Sequence, residues 1–164
     1  MADKEATVYI IDLGASMGEC RNGRTETNLD WSMHYVWDRI CTTVAASRKT
    51  WQAGVVGLRT DKTDNALDEV DGYANISVVQ EITPMTLTTL RTLRTHIKPN
   101  KAVEGDAISA IIVAADLIDA AAPQRLKYNR KIVLVTDGMW PIDSDAVADI
   151  SSRINDLQIE LTVL

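Results

Sequence analysis

Thr7-Val8-Tyr9-Ile10-Ile11-Asp12-Leu13-Gly14 decides the fold. The run is β-branched and aromatic, almost unbroken in apolar residues, and it stops at a glycine. A strand with one wet face alternates polar and apolar side chains, whereas one covered on both faces by helices has no reason to, so this run reads as a central strand of a parallel sheet. Lys131-Ile132-Val133-Leu134-Val135-Thr136-Asp137-Gly138 repeats the pattern and is the clearest buried strand in the chain. Both runs end in an aspartate beside a turn glycine, and in a doubly wound sheet ligand sites form at the carboxyl ends of adjacent central strands.

The elements between them alternate. Leu29, Met33, Val36, Trp37, Ile40 and Val44 recur at helical spacing, which predicts a long amphipathic helix ending near Ser47 with Asn28 available as its cap. Trp51 to Leu58 reads as a strand whose Gly54 and Gly57 allow close packing against a neighbouring helix. A polar loop from Arg59 to Gly72 follows, then a strand from Asn75 to Ile82, a break at Pro84 and a short helix carrying Leu87, Leu90, Leu93 and Ile97. Asp106 to Ala122 is apolar nearly all round, as a helix buried on most sides must be. Val147, Ile150, Ile154 and Leu157 mark a last helix, and Ile159 to Leu164 a last strand. The fold class is therefore α/β, a doubly wound, mostly parallel sheet flanked by helices. The chain stops inside an expected strand, so residues 1–164 read as one domain truncated at its C-terminal side.

Composition bounds the function. The 164 residues are 46% hydrophobic, enough for one buried core, and 17 basic against 23 acidic residues leave a net charge of −6. Such a chain does not hold nucleic acid by its summed charge, because that affinity comes from cations displacing counterions from phosphates. No apolar stretch approaches the ~20 residues that span a bilayer, and Met1 to Ala6 lacks the basic and apolar regions of a secretory signal, which points to an intracellular domain without membrane contact. Cys20 and Cys41 lack C-x-x-C spacing; no disulfide is expected, and Cys41 on the long helix reads as a packing residue. With four Trp, four Tyr and no Phe, core filling falls to Ile, Leu, Val and Ala with a few indoles.

Three kinds of chemistry can be weighed. Asp12, Ser16 and Asp137 resemble a degraded metal-ion-dependent adhesion site of von Willebrand factor A domains, in which a D-x-S-x-S turn, a loop threonine and a T-D-G turn offer hard oxygens to Mg²⁺. Gly14 stands where the first serine belongs, and the loop Glu104-Gly105-Asp106-Ala107 has no threonine, so no metal or other cofactor is expected; Asp12 and Asp137 read instead as caps or acceptors of loop amides. The alternative is a Mg²⁺-dependent ligand-binding A domain with an incomplete site. No P-loop and no G-x-G-x-x-G after a strand is present, and neither His34 nor His96 sits beside a nucleophile motif, so an enzyme is not expected. Arg91, Arg94 and Lys98 make a modest basic stripe, read as a solvated helix face.

The loop Thr60-Asp61-Lys62-Thr63-Asp64-Asn65-Ala66-Leu67, followed by Tyr73-Ala74-Asn75-Ile76, is more informative. It resembles the T-D-x-T-D-N-x-L … Y-x-N-I segment that links the second and third strands of the amino-terminal von Willebrand factor A-like domain in large subunits of the Ku heterodimer. The opening Tyr9 to Gly14 with Ser16-Met17, the helix end Ala115-Asp116-Leu117-Ile118 and Val135-Thr136-Asp137 agree in order over the whole chain, most closely with fungal members.

The resemblance implies a nuclear and chromosomal protein that pairs with the small Ku subunit, encircles double-stranded DNA ends through a barrel not contained in this chain, and serves end joining and telomere maintenance. It implies that this domain is a non-catalytic docking surface. Short basic Ku-binding peptides of repair factors would seat in a groove at Leu67, Tyr73, Asp106 and Ile112, although Ile112 also suits the core, Tyr73 a loop pin and Asp106 a helix N-cap. A second surface, for telomeric proteins, would lie on the exposed face of the last helix at Asp145, Asp149 and Arg153.

Overall fold

The structure is a computed structural model that describes residues 4–143, 145 and 147–164. Met1 to Asp3, part of the segment read above for a signal, lie outside the described residues. The strands are β1 (Glu5–Asp12), β2 (Trp51–Leu58), β3 (Ile76–Pro84), β4 (Asn129–Val135) and β5 (Ile159–Val163). The α-helices are α1 (Asn28–Ala46), α2 (Leu87–His96), α3 (Ala107–Ala121) and α4 (Val147–Asp156), and a short 3-10 turn covers Ala15–Gly18.

One five-stranded sheet runs in the order β3-β2-β1-β4-β5. β1 pairs in parallel with β2 on one side and β4 on the other, and β5 extends the parallel set, while β3 returns antiparallel to β2. Alternate residues of β1 feed two separate cores. Val8 and Ile10 join the cluster that α3 and α4 cover, through Ala114, Ile118, Ile150 and Ile154. Tyr9 and Ile11 join the cluster under α1 and α2, with Met33, Val36, Ile40 and Leu93. This two-sided burial is the reason the β1 sequence shows no polar alternation.

Several local expectations are corrected. The cap of α1 is Thr27, whose hydroxyl accepts from the Asp30 amide; Asn28 is the first helical residue, and its side chain donates to the Ser16 carbonyl. β3 runs two residues past its expected end and stops at Pro84, which marks the break before α2 as expected; an antiparallel edge position makes its missing N–H tolerable. Gly54 and Gly57 are small for a neighbouring strand and turn, not for a helix: a Cβ at Gly54 would lie 2.9 Å from Ile82 of β3, and one at Gly57 2.5 Å from Thr60. Cys41 faces solvent, and both cysteines are free. No indole is fully buried, and only Trp37 packs against the core under α1 and α2. Trp31 and Trp140 are exposed, Trp37 and Trp51 are half-buried, and arginine guanidinium groups lie over the rings of Trp31, Trp37 and Trp51.

Tyr9 is 5% exposed, and that burial pushes its phenol from 10.0 up to about 12, partly opposed by the Arg39 charge. Between those values the unfolded chain has released a proton that the folded chain keeps, so stability falls as pH rises through the window. The expected loss is about 2 kcal/mol by pH 12. Tyr9→Phe should remove this alkaline slope in denaturant titrations between pH 9 and about 12; an unchanged slope would assign it to other groups.

Candidate functional site: a buried arginine between two aspartates

The strand order reverses at β1, so the loops leaving β1 and β4 diverge and open a crevice at their carboxyl ends. Asp12 ends β1 there, and Asp137 follows β4 by two residues. The space between them is filled by the guanidinium of Arg59, the residue after β2. Its Nε donates to Asp12 Oδ1 at 2.7 Å and its Nη2 to Asp12 Oδ2 at 2.6 Å, a two-pronged pair. The same Nη2 lies 3.0 Å from Ser16 Oγ and 3.3 Å from Asp137 Oδ1. All three residues expected to form the degraded metal site thus converge, but on a side-chain cation.

The backbone explains how an arginine at the end of β2 reaches back over β1. Arg59 has φ 56, a left-handed conformation that non-glycine residues adopt at a cost. Neighbouring groups hold it there: the Asn100 side chain donates to the Arg59 carbonyl at 2.9 Å, and the Thr60 amide to the Asn75 carbonyl at 2.9 Å. The two departures from the metal-site pattern provide the room. A Cβ at Gly14 would fall 2.4 Å from Arg59 Cζ, and one at Gly105 would fall 3.0 Å from Arg59 Cγ. Gly14 is therefore not simply a lost serine oxygen. It is the volume into which the guanidinium fits.

The electrostatics follow from burial. Arg59 is 3% exposed and Asp12 1%. Desolvation works against the charged guanidinium, but the hydrogen bond and charge of Asp12, with those of Asp137, outweigh it and raise the Arg59 pKa above its ordinary value. Asp12 is saturated: the Gly14 amide donates to Oδ1 at 3.0 Å and the Thr136 hydroxyl to Oδ2 at 2.7 Å, besides the two arginine bonds. Asp137 Oδ1 also accepts from the Met139 amide at 3.2 Å, and Asp137 Oδ2 is a buried oxygen with no hydrogen-bond partner among the described residues. One unshared oxygen beside a fixed cation does not fit a divalent ion, which needs several convergent oxygens. Among the described residues no group of three or more His, Cys, Asp or Glu could hold a metal.

The loop that carried the resemblance is a hydrogen-bonded frame. Asn65, 9% exposed, donates to the carbonyl of Ile76 at 2.8 Å and of Tyr73 at 3.3 Å, and its Oδ1 accepts from the Leu67 amide at 2.9 Å. Thr63 Oγ1 accepts from the Asn75 amide, the Asn75 side chain donates to the Thr60 carbonyl, and Asp64 bridges to Ser77. The motif residues thus fix where Leu67 and Tyr73 emerge.

Of the expected groove residues, Leu67 lines a cavity of about 390 Å³ between this loop, β3 and α3, with Val78, Val113, Leu117 and Ala120, beside the carboxylates of Asp64, Glu81 and Asp116. Tyr73 and Ile112 are half-buried against the α3-side core but do not line the cavity. Asp106 is half-buried at the start of α3 and caps it: Oδ2 accepts from the Ser109 amide at 2.6 Å and Oδ1 from the Asp143 amide at 2.9 Å. On the second expected surface, Asp149 is exposed on α4, Arg153 pairs with Asp116 of α3, and Asp145 lies ahead of the helix rather than on it, its amide donating to Asp143 Oδ1.

Residues 6–162 match the profile of the Ku70/Ku80 N-terminal alpha/beta domain. The chain belongs to this family. Curated relatives named ATP-dependent DNA helicase II subunit 2 align over the whole chain, that of Neurospora crassa at 55% identity and that of Chaetomium globosum at 56%. The Schizosaccharomyces pombe protein of the same name is 36% identical over 94% of the chain. The chain spans 23% of the length of the first relative and 22% of each of the other two. Among solved structures, the VWA domain of SpRpn10 superposes with a TM-score of 0.68 at 12% identity, covering 98% of this chain and 74% of that one, which shows the A-domain fold. The Ku domain here is therefore an A-type sheet whose ion crevice is plugged by its own arginine. Sequence reading missed Arg59 by assigning it to a polar loop; the available signal was a cation directly after a buried strand, opposite a glycine in a turn that otherwise carries serine.

Removing the guanidinium strands two carboxylates in a buried crevice. Arg59→Ala should cost about 3–5 kcal/mol in chemical denaturation. Gly14→Ser should also destabilise, and adding it to Arg59→Ala should cost much less than in the native background, because its clash partner is gone. Additive effects in that cycle would show that Gly14 is not shaped by Arg59.

Proposed function

We propose that this Ku domain is a non-catalytic docking module of a Ku large subunit, and that it recruits partners through short basic peptides seated beside the loop at Leu67. The observation that carries the proposal is the cavity between that loop and α3, lined by apolar Val113, Leu117 and Ala120 and by the carboxylates of Asp64 and Glu81, beside Asp116, which Arg153 already pairs. An apolar floor accepts an aromatic or aliphatic anchor, and carboxylates at the edge reward lysine or arginine on either side of it. Tyr73 and Ile112 extend the apolar surface along the same core, and Asp106 adds a carboxylate at the start of α3.

On this reading DNA ends are bound by the heterodimer with the small Ku subunit, through a barrel outside these 164 residues, in the nucleus and at telomeres. The share of its relatives' length that the chain spans supports that division, as does its net charge of −6. The face of α4 with Asp149 and Arg153 is the second docking surface, for telomeric proteins. The plugged crevice favours a docking module over the Mg²⁺-dependent alternative, because the oxygens that would chelate already hold Arg59.

Fluorescence anisotropy with a labelled Ku-binding-motif peptide tests the groove. Leu67→Ala, Tyr73→Ala and Asp106→Asn should each weaken binding at least about tenfold, while Asp149→Ala leaves it unchanged. Equal affinity across all four variants would place the peptide elsewhere. A thermal-shift titration with Mg²⁺ should leave the melting temperature unmoved; a rise abolished by Asp12→Ala would favour the metal-dependent reading.

A further inference from the structure

At the opposite end of the sheet, where β1 and β4 begin, lies a hollow of about 750 Å³. Lys4, Arg125, Lys127 and Arg130 line it, together with the amide side chains of Gln124 and Asn129, and among the described residues none that lines it is acidic. In a chain with a net charge of −6 such a one-signed concentration is unlike the average surface.

The floor of the hollow holds the decisive observation. Arg130 is 5% exposed and forms no ion pair among the described residues. Its Nε donates to the Ala122 carbonyl at 2.8 Å, and its Nη1 and Nη2 reach the Tyr128 and Leu126 carbonyls at 3.4 and 3.3 Å. These carbonyls, that of Ala122 at the C-terminus of α3 among them, satisfy its hydrogen bonds and offset its charge only in part, and no carboxylate pairs with it among the described residues. The contrast with Arg59 is direct, since that buried guanidinium faces two aspartates. The neighbouring Lys131 is likewise neutralised, by Glu5 at 2.9 Å. Arg130 thus adds its charge from beneath an open hollow lined by further cations, and an anion there is attracted by all of them. Lys4, Arg125 and Lys127 stand exposed around it, Lys4 with its ammonium 5.6 Å from the centre of the Tyr128 ring.

We propose that this hollow binds a compact polyphosphate anion, a chain of linked phosphates held by Lys4, Arg125 and Lys127 above the Arg130 guanidinium. The volume is that of a small-molecule site. The cations converge on one concavity rather than forming the extended row along which a duplex backbone would lie, which favours a compact anion over nucleic acid. The phosphates can come from inorganic polyphosphate or from a nucleoside triphosphate.

Isothermal titration of the full 164-residue chain with tripolyphosphate and, separately, with magnesium-free ATP tests the site at low salt. Tripolyphosphate should bind, and Arg125→Ala with Lys127→Ala should weaken it at least about tenfold without altering the circular dichroism spectrum or the unliganded melting temperature. Arg91→Ala with Arg94→Ala, which removes equal charge from α2, should leave the affinity within about twofold. Equal binding of both ligands would support recognition of phosphates alone; tighter ATP binding, lost in the same variant, would support a nucleotide source. Absence of binding, or an equal loss in the α2 variant, would overturn the proposal. Weaker binding of both ligands than of a short DNA duplex sensitive to Arg125 and Lys127 would overturn it in favour of a nucleic-acid contact.

Discussion

The ion pair of Asp12 with Arg59 is the constraint on which the upper end of this domain depends. A doubly wound sheet opens a crevice where its strand order reverses, and this chain points two aspartates into it. Two buried carboxylates facing one another repel, and the fold must bring in a positive charge. The charge is covalent here. A guanidinium carried by the end of β2 bonds Asp12 in two-pronged fashion, touches Ser16 and Asp137, and ties β1, β2 and the loop after β4 together. An exchangeable ion would make that closure depend on solution conditions, whereas a side chain makes it a permanent part of the fold.

The same constraint shapes the surrounding backbone. Arg59 turns through a left-handed conformation, Gly14 and Gly105 vacate the volume beside it, and Asn75 and Asn100 pin the two loops that flank it. The segment from Thr60 to Ile76 is then held at both ends, and its internal bonds from Asn65 and Thr63 set the direction in which Leu67 leaves the surface. The arginine-filled crevice thereby steadies the neighbouring loop. The two ends of the sheet differ in charge for a related reason. At one end a buried arginine is neutralised by aspartates, and at the other Arg130 meets only carbonyls.

Much of the architecture was legible before any coordinates. β2 spans the residues its sequence pattern delimits, the helices begin and end within a residue or two of their expected limits, and the nearly unbroken apolar runs of β1 and β4 correspond to strands buried on both faces. The motif from Thr60 to Ile76 was legible as a family signal, though its physical role as a frame of side-chain to backbone bonds was not. The expectations that failed were local and depended on neighbours. Asn28 sits one residue inside the helix it was expected to cap, Cys41 falls on the solvent side of α1, and three of the four indoles lie under arginine guanidinium groups. In each case residue type left two environments open, and the helix phase or a distant cation chose between them.

By itself the sequence determined the class of sheet, the order of its elements, the family, and the meeting of Asp12 with Asp137, because apolar periodicity and strand ends are properties of short segments. Only the tertiary structure decided what lies between those aspartates. Arg59 is 47 residues from Asp12 along the chain, and nothing local distinguishes it from the first residue of a polar loop. Its role arises from parallel pairing that sets Leu58 beside Asp12, from a left-handed turn that swings the side chain back, and from a glycine that leaves it room.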